Sequence, residues 1–259
     1  MAQCLRDEEG GCRRCDGELD FEFTMAFQPI IDVAAGEVFA HEALVRGING
    51  EGARDILNRV KPHSLYRFDQ ACRIRALEIA HRLGCDRPVS INFLPNAVYE
   101  PEACIQATLK LAGELGWPLA QIMFEVTETE HVRDRQHLQR IVESYRAMGF
   151  LTAIDDFGAG YANLELLVDM QPDVVKADRH LIIDIDRNPR RQAIVESLVI
   201  MGKKLGITLI AEGVETLAEA RWLYQRGIHL QQGFLYARPQ IETLVASPVD
   251  IIEQVRAAA

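Results

Sequence analysis

Seven polar residues close short apolar runs along the chain: Glu42, Asn92, Glu125, Asp155, Lys176, Glu212 and Gln232. An eighth, Asp156, directly follows Asp155 in AIDDFGAGYANL, residues 153–164. Two adjacent like charges at the end of a buried run are opposed by repulsion and desolvation, unless a cation or water meets them. The set contains no histidine or cysteine, and oxygen-only ligands suit Mg²⁺ or Mn²⁺ rather than zinc. Neighbours in a regular strand point to opposite faces. At a strand end both aspartates can turn inward, each serving a metal or together bridging a pair. Two such ions ionise an attacking water and stabilise a leaving oxygen, so phosphodiester hydrolysis is the natural reaction. Lys176 in VVKAD is placed to orient or deprotonate that water, or to neutralise developing charge. Asp178, two residues on, shares its strand face and is expected to hold the lysine. Gly158 and Gly160 permit backbone shapes that other residues resist, as a mobile loop beside a metal site would need.

A single acid at a strand end is ordinarily a solvated cap, so the case rests on phase. The runs PVSINF, QIMFEVTE, LTAIDDF, VVKAD, TLIAEGV and LQQGF are short, apolar and rich in strand formers. Between most of them lie helical patterns: PEACIQATLKLAGELG, DRQHLQRIVESYRAMG, RRQAIVESLVIMGKKLG and TLAEARWLYQRG, with LYRFDQACRIRALEIAHRLG ahead. Gly84, Gly116, Gly149, Gly206 and Gly227 stand where helices should stop. From Glu42 to Gln232 is 190 residues in six intervals, about 32 each, close to the roughly 31 residues per unit of an eight-stranded βα barrel. In such a barrel the seven residues converge at the C-terminal ends of the strands; an open sheet would spread them along a line. FTMAFQPIIDV and EVFAHEALVR flank AAG, a hairpin-type reversal. The expected fold is therefore a TIM-like (β/α)8 barrel with one antiparallel strand, over residues 23–259. Residues 1–22 read as a charged, Cys-containing appendage.

The formal net charge of −10 argues against a long polyanionic nucleic acid as partner. A small phosphate ligand remains open, because metal ions can supply positive charge. No apolar segment is long enough to span a bilayer, and the polar N-terminus lacks a secretory apolar region, so a cytoplasmic location is expected. Cys72, Cys85 and Cys104 read as reduced, core or near-core residues. Cys4 and the pair in CRRC, Cys12 and Cys15, read first as surface thiols, with a reversible disulfide or a metal site as alternatives.

HEALVRG at 41–47, SIN at 90–92, EVTE at 125–128, DDFGAGY at 155–161, KAD at 176–178, AEGVET at 211–216 and QGFLYARP at 232–239 resemble, in order and spacing, the EAL-domain family of cyclic di-GMP phosphodiesterases. The resemblance runs from about Phe23 to Pro239. It implies that Glu42, Asn92, Glu125 and Asp155 bind metal, with Asp156 toward a second ion. Lys176 would act on the nucleophilic water, with Glu42 and Glu212 in the catalytic set. Leu44, Arg46, Gln232, Asp178 and Glu215 would serve the substrate side, Arg46 through a phosphate. Glu128 and Glu215 would steady the metal site and the glycine loop. The product would be linear pGpG, Ca²⁺ would inhibit, and a homodimer would form through the face near the glycine loop. Ala159, Ala162, Ala177 and His229 depart from the family's usual Thr, Ser, Ile or Leu, and Asp; none removes a ligand. Some relatives are catalytically silent receptors or protein-binding regulators, but those usually lack an acid of the set, and here none is missing.

Overall fold

A computed structural model describes residues 19–98, 100–127, 135–159 and 164–257. Its strands are β1 (Thr24–Asp32), β2 (Glu37–Arg46), β3 (Val89–Phe93), β4 (Ile122–Thr127), β5 (Leu151–Phe157), β6 (Val174–Ala177), β7 (Thr208–Ala211), β8 (Leu230–Gln231) and β9 (Gln240–Ile241). The hydrogen-bonded order runs β2-β3-β4-β5-β6-β7-β8-β1, and β1 pairs back to β2, so eight strands close a barrel. Strand β1 runs antiparallel to both neighbours, while β2 to β8 are mutually parallel. Only Ile31 and Asp32 of β1 pair with β8; farther along the same edge Ala26 and Phe27 pair with β9. The β1–β2 reversal falls where AAG stands. Asp32 Oδ1 accepts both the Ala34 and Ala35 N–H groups at 2.9 Å, the side-chain turn that short acidic residues favour.

The helices are α1 (Ala53–Leu57), α2 (Leu65–Arg82), α3 (Pro101–Cys104), α4 (Gln106–Leu115), α5 (Arg135–Met148), α6 (Leu164–Met170), α7 (Arg179–Ile182), α8 (Pro189–Leu205), α9 (Leu217–Gln225) and α10 (Val249–Arg256). The expected helix over 101–116 is split at Ile105 into α3 and α4. The glycine stops hold: Gly116 and Gly206 follow α4 and α8 in the left-handed region, φ 64° and 70°, where a side chain is strained.

Strand alternation divides the core. Outward residues such as Ile91, Phe93, Phe124, Val126 and Ile154 pack under the helices on one side. Ala177, Ala211 and Ile31 do so on the other, with Val195, Val199 and Leu223. Inward residues Ile30, Ala40, Met123, Ala153, Val174, Ile210 and Leu230 form an apolar floor inside the barrel. Each of the parallel-strand members stands two residues before one of the polar residues named above. The same strand faces therefore carry apolar side chains low in the barrel and the acids above them, as layered barrel interiors require. No helix among the described residues is long and apolar enough to cross a membrane.

Candidate metal and phosphodiester site

Every one of the seven phased residues arrives at the C-terminal mouth. Glu42 comes from β2, Asn92 from β3, Glu125 from β4, Asp155 from β5 and Lys176 from β6; Glu212 and Gln232 follow β7 and β8 directly. Lys176 lies wholly buried at the centre. Its Nζ stands 2.7 Å from Glu212 Oε1, 2.9 Å from Glu125 Oε2, 2.9 Å from Asp155 Oδ1 and 3.4 Å from Glu42 Oε2. Asn92 Nδ2 donates to Glu42 Oε1 at 3.1 Å, and Gln232 Nε2 donates to Glu42 Oε2 at 2.7 Å.

Asp156 reaches the same mouth because β5 stops being regular there. The β5–β6 register shifts between Ile154 and Phe157, and Asp156 takes φ 53°. Bulges re-aim side chains in this way, and aspartate tolerates the left-handed region better than most residues. Carboxylate oxygens of Asp155, Asp156 and Glu212 consequently lie within 4.8 Å of one another, and so do those of Glu42, Glu125 and Asp155. Asp155 belongs to both groups.

The electrostatics are unbalanced. Five carboxylates share one ammonium. Burial, reinforced by the Glu42 and Asp155 charges, pushes Glu125 up to about 8 against the pull of Lys176. Burial and the Asp155 charge push Glu212 well above the usual carboxylate range, and burial with the same neighbour pushes Asp156 up to about 6. Burial opposes the charge on Lys176, but the surrounding acids outweigh it and hold the ammonium protonated well above its ordinary range. Lys176 Nζ, at the centre of the ring, is placed to orient a water and to offset negative charge. Like charges crowded out of water mark a functional site.

The donor set fits hard divalent cations. Asn92 Oδ1 and Gln232 Oε1 are buried acceptors without a hydrogen-bond donor among the described residues, and a buried acceptor of that kind is costly unless something positive meets it. Excess carboxylate and two orphaned amide oxygens together call for cations bound through oxygen.

The remaining expected residues divide. Leu44 lies on the inward face of β2 above Glu42 and lines a cavity of about 350 Å³ that also touches Asn92, Asp155, Phe68 and Asp69. Arg46 ends β2 half-buried, its Nη1 donating to Val45 O at 2.7 Å. Asp178 does not hold Lys176. Strand β6 ends at Ala177, so the side-chain alternation that would align the two residues is lost. Asp178 instead caps α7, accepting the His180 N–H at 2.8 Å. Glu215 is exposed and paired with Arg179 at 2.7 Å. Gly158 takes φ 101° with Leu181 Cδ1 only 2.6 Å from where a Cβ would stand. Glu128, Gly160, Ala162, Cys4, Cys12 and Cys15 lie outside the described residues. Cys72, Cys85 and Cys104 form no disulfide among the described residues.

Two site residues were not anticipated. Gln28, on β1 opposite Glu42, accepts from Gln232 Nε2 at 3.2 Å and donates to Ala237 O at 3.0 Å. It supplies the eighth strand's contribution to the mouth, and its signal was a lone amide in the otherwise apolar run of β1. Ser90, one turn of the pleat below Asn92, is the polar member of the floor layer; its Oγ donates to Glu125 Oε1.

The family profile described as the EAL domain matches residues 18–239. A standalone versatile EAL protein from Vibrio cholerae O395, solved in a cyclic di-GMP-bound form, is 47% identical. It superposes with a TM-score of 0.88, covering 90% of this chain and 99% of that one. Klebsiella pneumoniae BlrP1, solved as a manganese and cyclic di-GMP complex, is 35% identical with a TM-score of 0.82, over 89% of this chain and 59% of that one. The blue light- and temperature-regulated antirepressor BluF of Escherichia coli is 33% identical over 218 residues. The cyclic di-GMP phosphodiesterase NbdA of Pseudomonas aeruginosa is 30% identical over 232 residues. The chain spans 54% of the length of BluF and 29% of that of NbdA, while 83% and 85% of this chain is covered.

Proposed function

The chain belongs to the EAL domain family, and from that premise we propose that it hydrolyses cyclic di-GMP to linear pGpG. The observation that carries the reading is the complete acid ring around Lys176, with Asp155 common to two groups of carboxylate oxygens. Glu42, Asn92, Glu125 and Asp155 would hold one Mg²⁺ or Mn²⁺, and Asp155, Asp156 and Glu212 a second. When bound, such ions supply a water of lowered pKa and positive charge beside the phosphodiester. The chain's own groups do the rest. Lys176 orients the attacking water and offsets negative charge growing on the phosphorus oxygens. Gln232 and Asn92 fix the Glu42 carboxylate through one amide N–H each. Leu44 offers an apolar wall to a base, and Arg46 a guanidinium to the phosphate that is not cut. Water oxygen joins phosphorus, the bond to the ribose O3′ breaks, and the released proton ends on that O3′.

Leu164 and Val168 of α6, 60% and 74% exposed, form an apolar face beside the glycine loop that suits a homodimer. A cytoplasmic place follows from the messenger substrate. A second reading, a receptor or protein-binding regulator without turnover, draws support from the antirepressor among the relatives; the intact acid set favours hydrolysis. The test is chromatographic. Protein is incubated with cyclic di-GMP and Mg²⁺ or Mn²⁺, with EDTA and Ca²⁺ as controls. Metal-dependent pGpG, suppressed by both controls, is expected. Retention of the dinucleotide without product would establish the second reading instead.

A further inference from the structure

A buried ion pair stands outside the acid ring and takes no part in the chemistry above. Asp69 and Arg73, four residues apart on α2, are 3% and 2% exposed, with Asp69 Oδ2 2.8 Å from Arg73 Nη2. Taking two charges out of water is costly, and apolar replacements of similar volume are often as stable. The pair therefore asks for a reason beyond holding the fold together.

Its other contacts supply one. Asp69 Oδ1 accepts the backbone N–H of Leu94 at 2.8 Å. Leu94 lies two residues beyond Asn92, at the point where β3 leaves the barrel. Arg73 Nη1 donates to Cys104 O at 3.4 Å, the last residue of α3, where a cation also complements the helix C-terminus. One pair thus anchors both the start of the β3–α3 connection and the end of α3. On the β4 side β3 stays paired through Asn92 and Phe93; the β2 side is where the tether adds support. The pairing of β3 with β2 ends at Ala43 and Ile91, so Asn92 lies just past the last bond on that side. The opening beyond it is the 350 Å³ cavity, and Asp69 lines that cavity along with Glu42, Asn92 and Asp155.

We propose that Asp69 and Arg73 are positioning residues for the metal site: their tether at Leu94 fixes the end of β3 and so aims Asn92 Oδ1 at the ring of acids. The proposal rests on reading Asn92 as a metal ligand. It concerns affinity for the ion and is read without substrate.

The experiment compares two double variants by titrating Mn²⁺ alone into EDTA-treated protein by calorimetry, after thermal melts confirm folding. Asp69→Leu with Arg73→Met keeps the packing and removes the tether. Asp69→Asn with Arg73→Gln keeps an acceptor for Leu94 and a donor toward Cys104. The apolar pair is expected to lose about 10- to 100-fold in Mn²⁺ affinity, the usual effect of removing a partner behind a ligand. The amide pair is expected to stay within about threefold of the native chain on the same scale. Equal affinity in all three proteins, equal loss in both variants, or no Mn²⁺ binding by the native chain would each overturn the proposal. If neither variant folds, amide exchange of Leu94 in the native chain decides. Exchange only through global unfolding supports the tether, and faster local exchange overturns it. Native Mn²⁺ binding with the predicted split, but no pGpG, would sink the phosphodiesterase reading and leave this one standing.

Discussion

Phe124 and Glu125 are adjacent in β4, and neither has any exposed surface, yet their surroundings are opposite. Phe124 points outward into rings: Tyr145 at 5.0 Å, Phe150 at 5.1 Å and Phe93 at 5.9 Å between centroids. Glu125 points inward to Lys176, Ser90 and two other acids. The outer layer gains by burying apolar area, about 1.5–3 kcal/mol for a side chain such as phenylalanine. The inner mouth carries more negative charge than one lysine offsets. Along every parallel strand the two layers alternate residue by residue, so the barrel holds a destabilising site on a stabilising wall. Natural sites often stand at such a disadvantage relative to their scaffold.

The largest expected contrast comes from changing one layer at a time. Glu125→Gln should cut pGpG formation by about 10²–10³-fold or more while thermal melting of the metal-free protein stays the same or rises, since a strained acid is removed. Phe124→Ala should do the reverse. It should lose about 3–5 kcal/mol of stability in urea unfolding, with Mn²⁺ affinity of the folded fraction unchanged. A smaller effect is expected where the layers meet. A Cβ on Gly233 would stand 2.0 Å from Val214 O and 2.3 Å from Val214 N, forcing apart the loops that carry Glu212 and Gln232. Gly233→Ala should cost about 1–3 kcal/mol and weaken turnover and stability together, unlike either single-layer change.

The smallest effect is a pH dependence. Burial raises the folded-state pKa of Asp156 from 3.8 to about 6, so the fold favours its protonated form. The contribution of Asp156 to the stability of the metal-free chain should fall as pH rises from 3.8 toward 6 and then stay constant. Asp156→Asn removes that loss. Its melting temperature should equal the native value at the acid end and exceed it above about pH 6, with Mn²⁺ closing the gap. A constant difference across the range would show that Asp156 is not strained by its neighbours.

The same two-layer alternation made much of the site legible in the sequence. Residues two apart on one strand share a face, so apolar runs ending in a polar residue marked both floor and mouth for Glu42, Glu125, Asp155 and Lys176. The same rule misled at Asp178, because β6 ends one residue earlier and the chain turns into α7. Asp156 was recoverable only by assuming an irregular strand end, which the bulge provides. Gln28 and Ser90 were hidden because each sits alone within a run that reads as apolar strand. Asp69 and Arg73 were hidden in a helical pattern, where an i,i+4 ion pair is ordinarily a solvated surface feature. The break in the 101–116 helix left no signal either: Ile105, where it falls, is a competent helix residue.

The most direct measurement is hydrolysis of cyclic di-GMP with Mn²⁺ in ¹⁸O-labelled water, followed by mass analysis of the product. Linear pGpG carrying one ¹⁸O on its terminal phosphate is expected from the native chain and not from Glu125→Gln. Unchanged cyclic di-GMP, or product formed equally by the variant, would contradict the assignment of the acid ring as the reactive site.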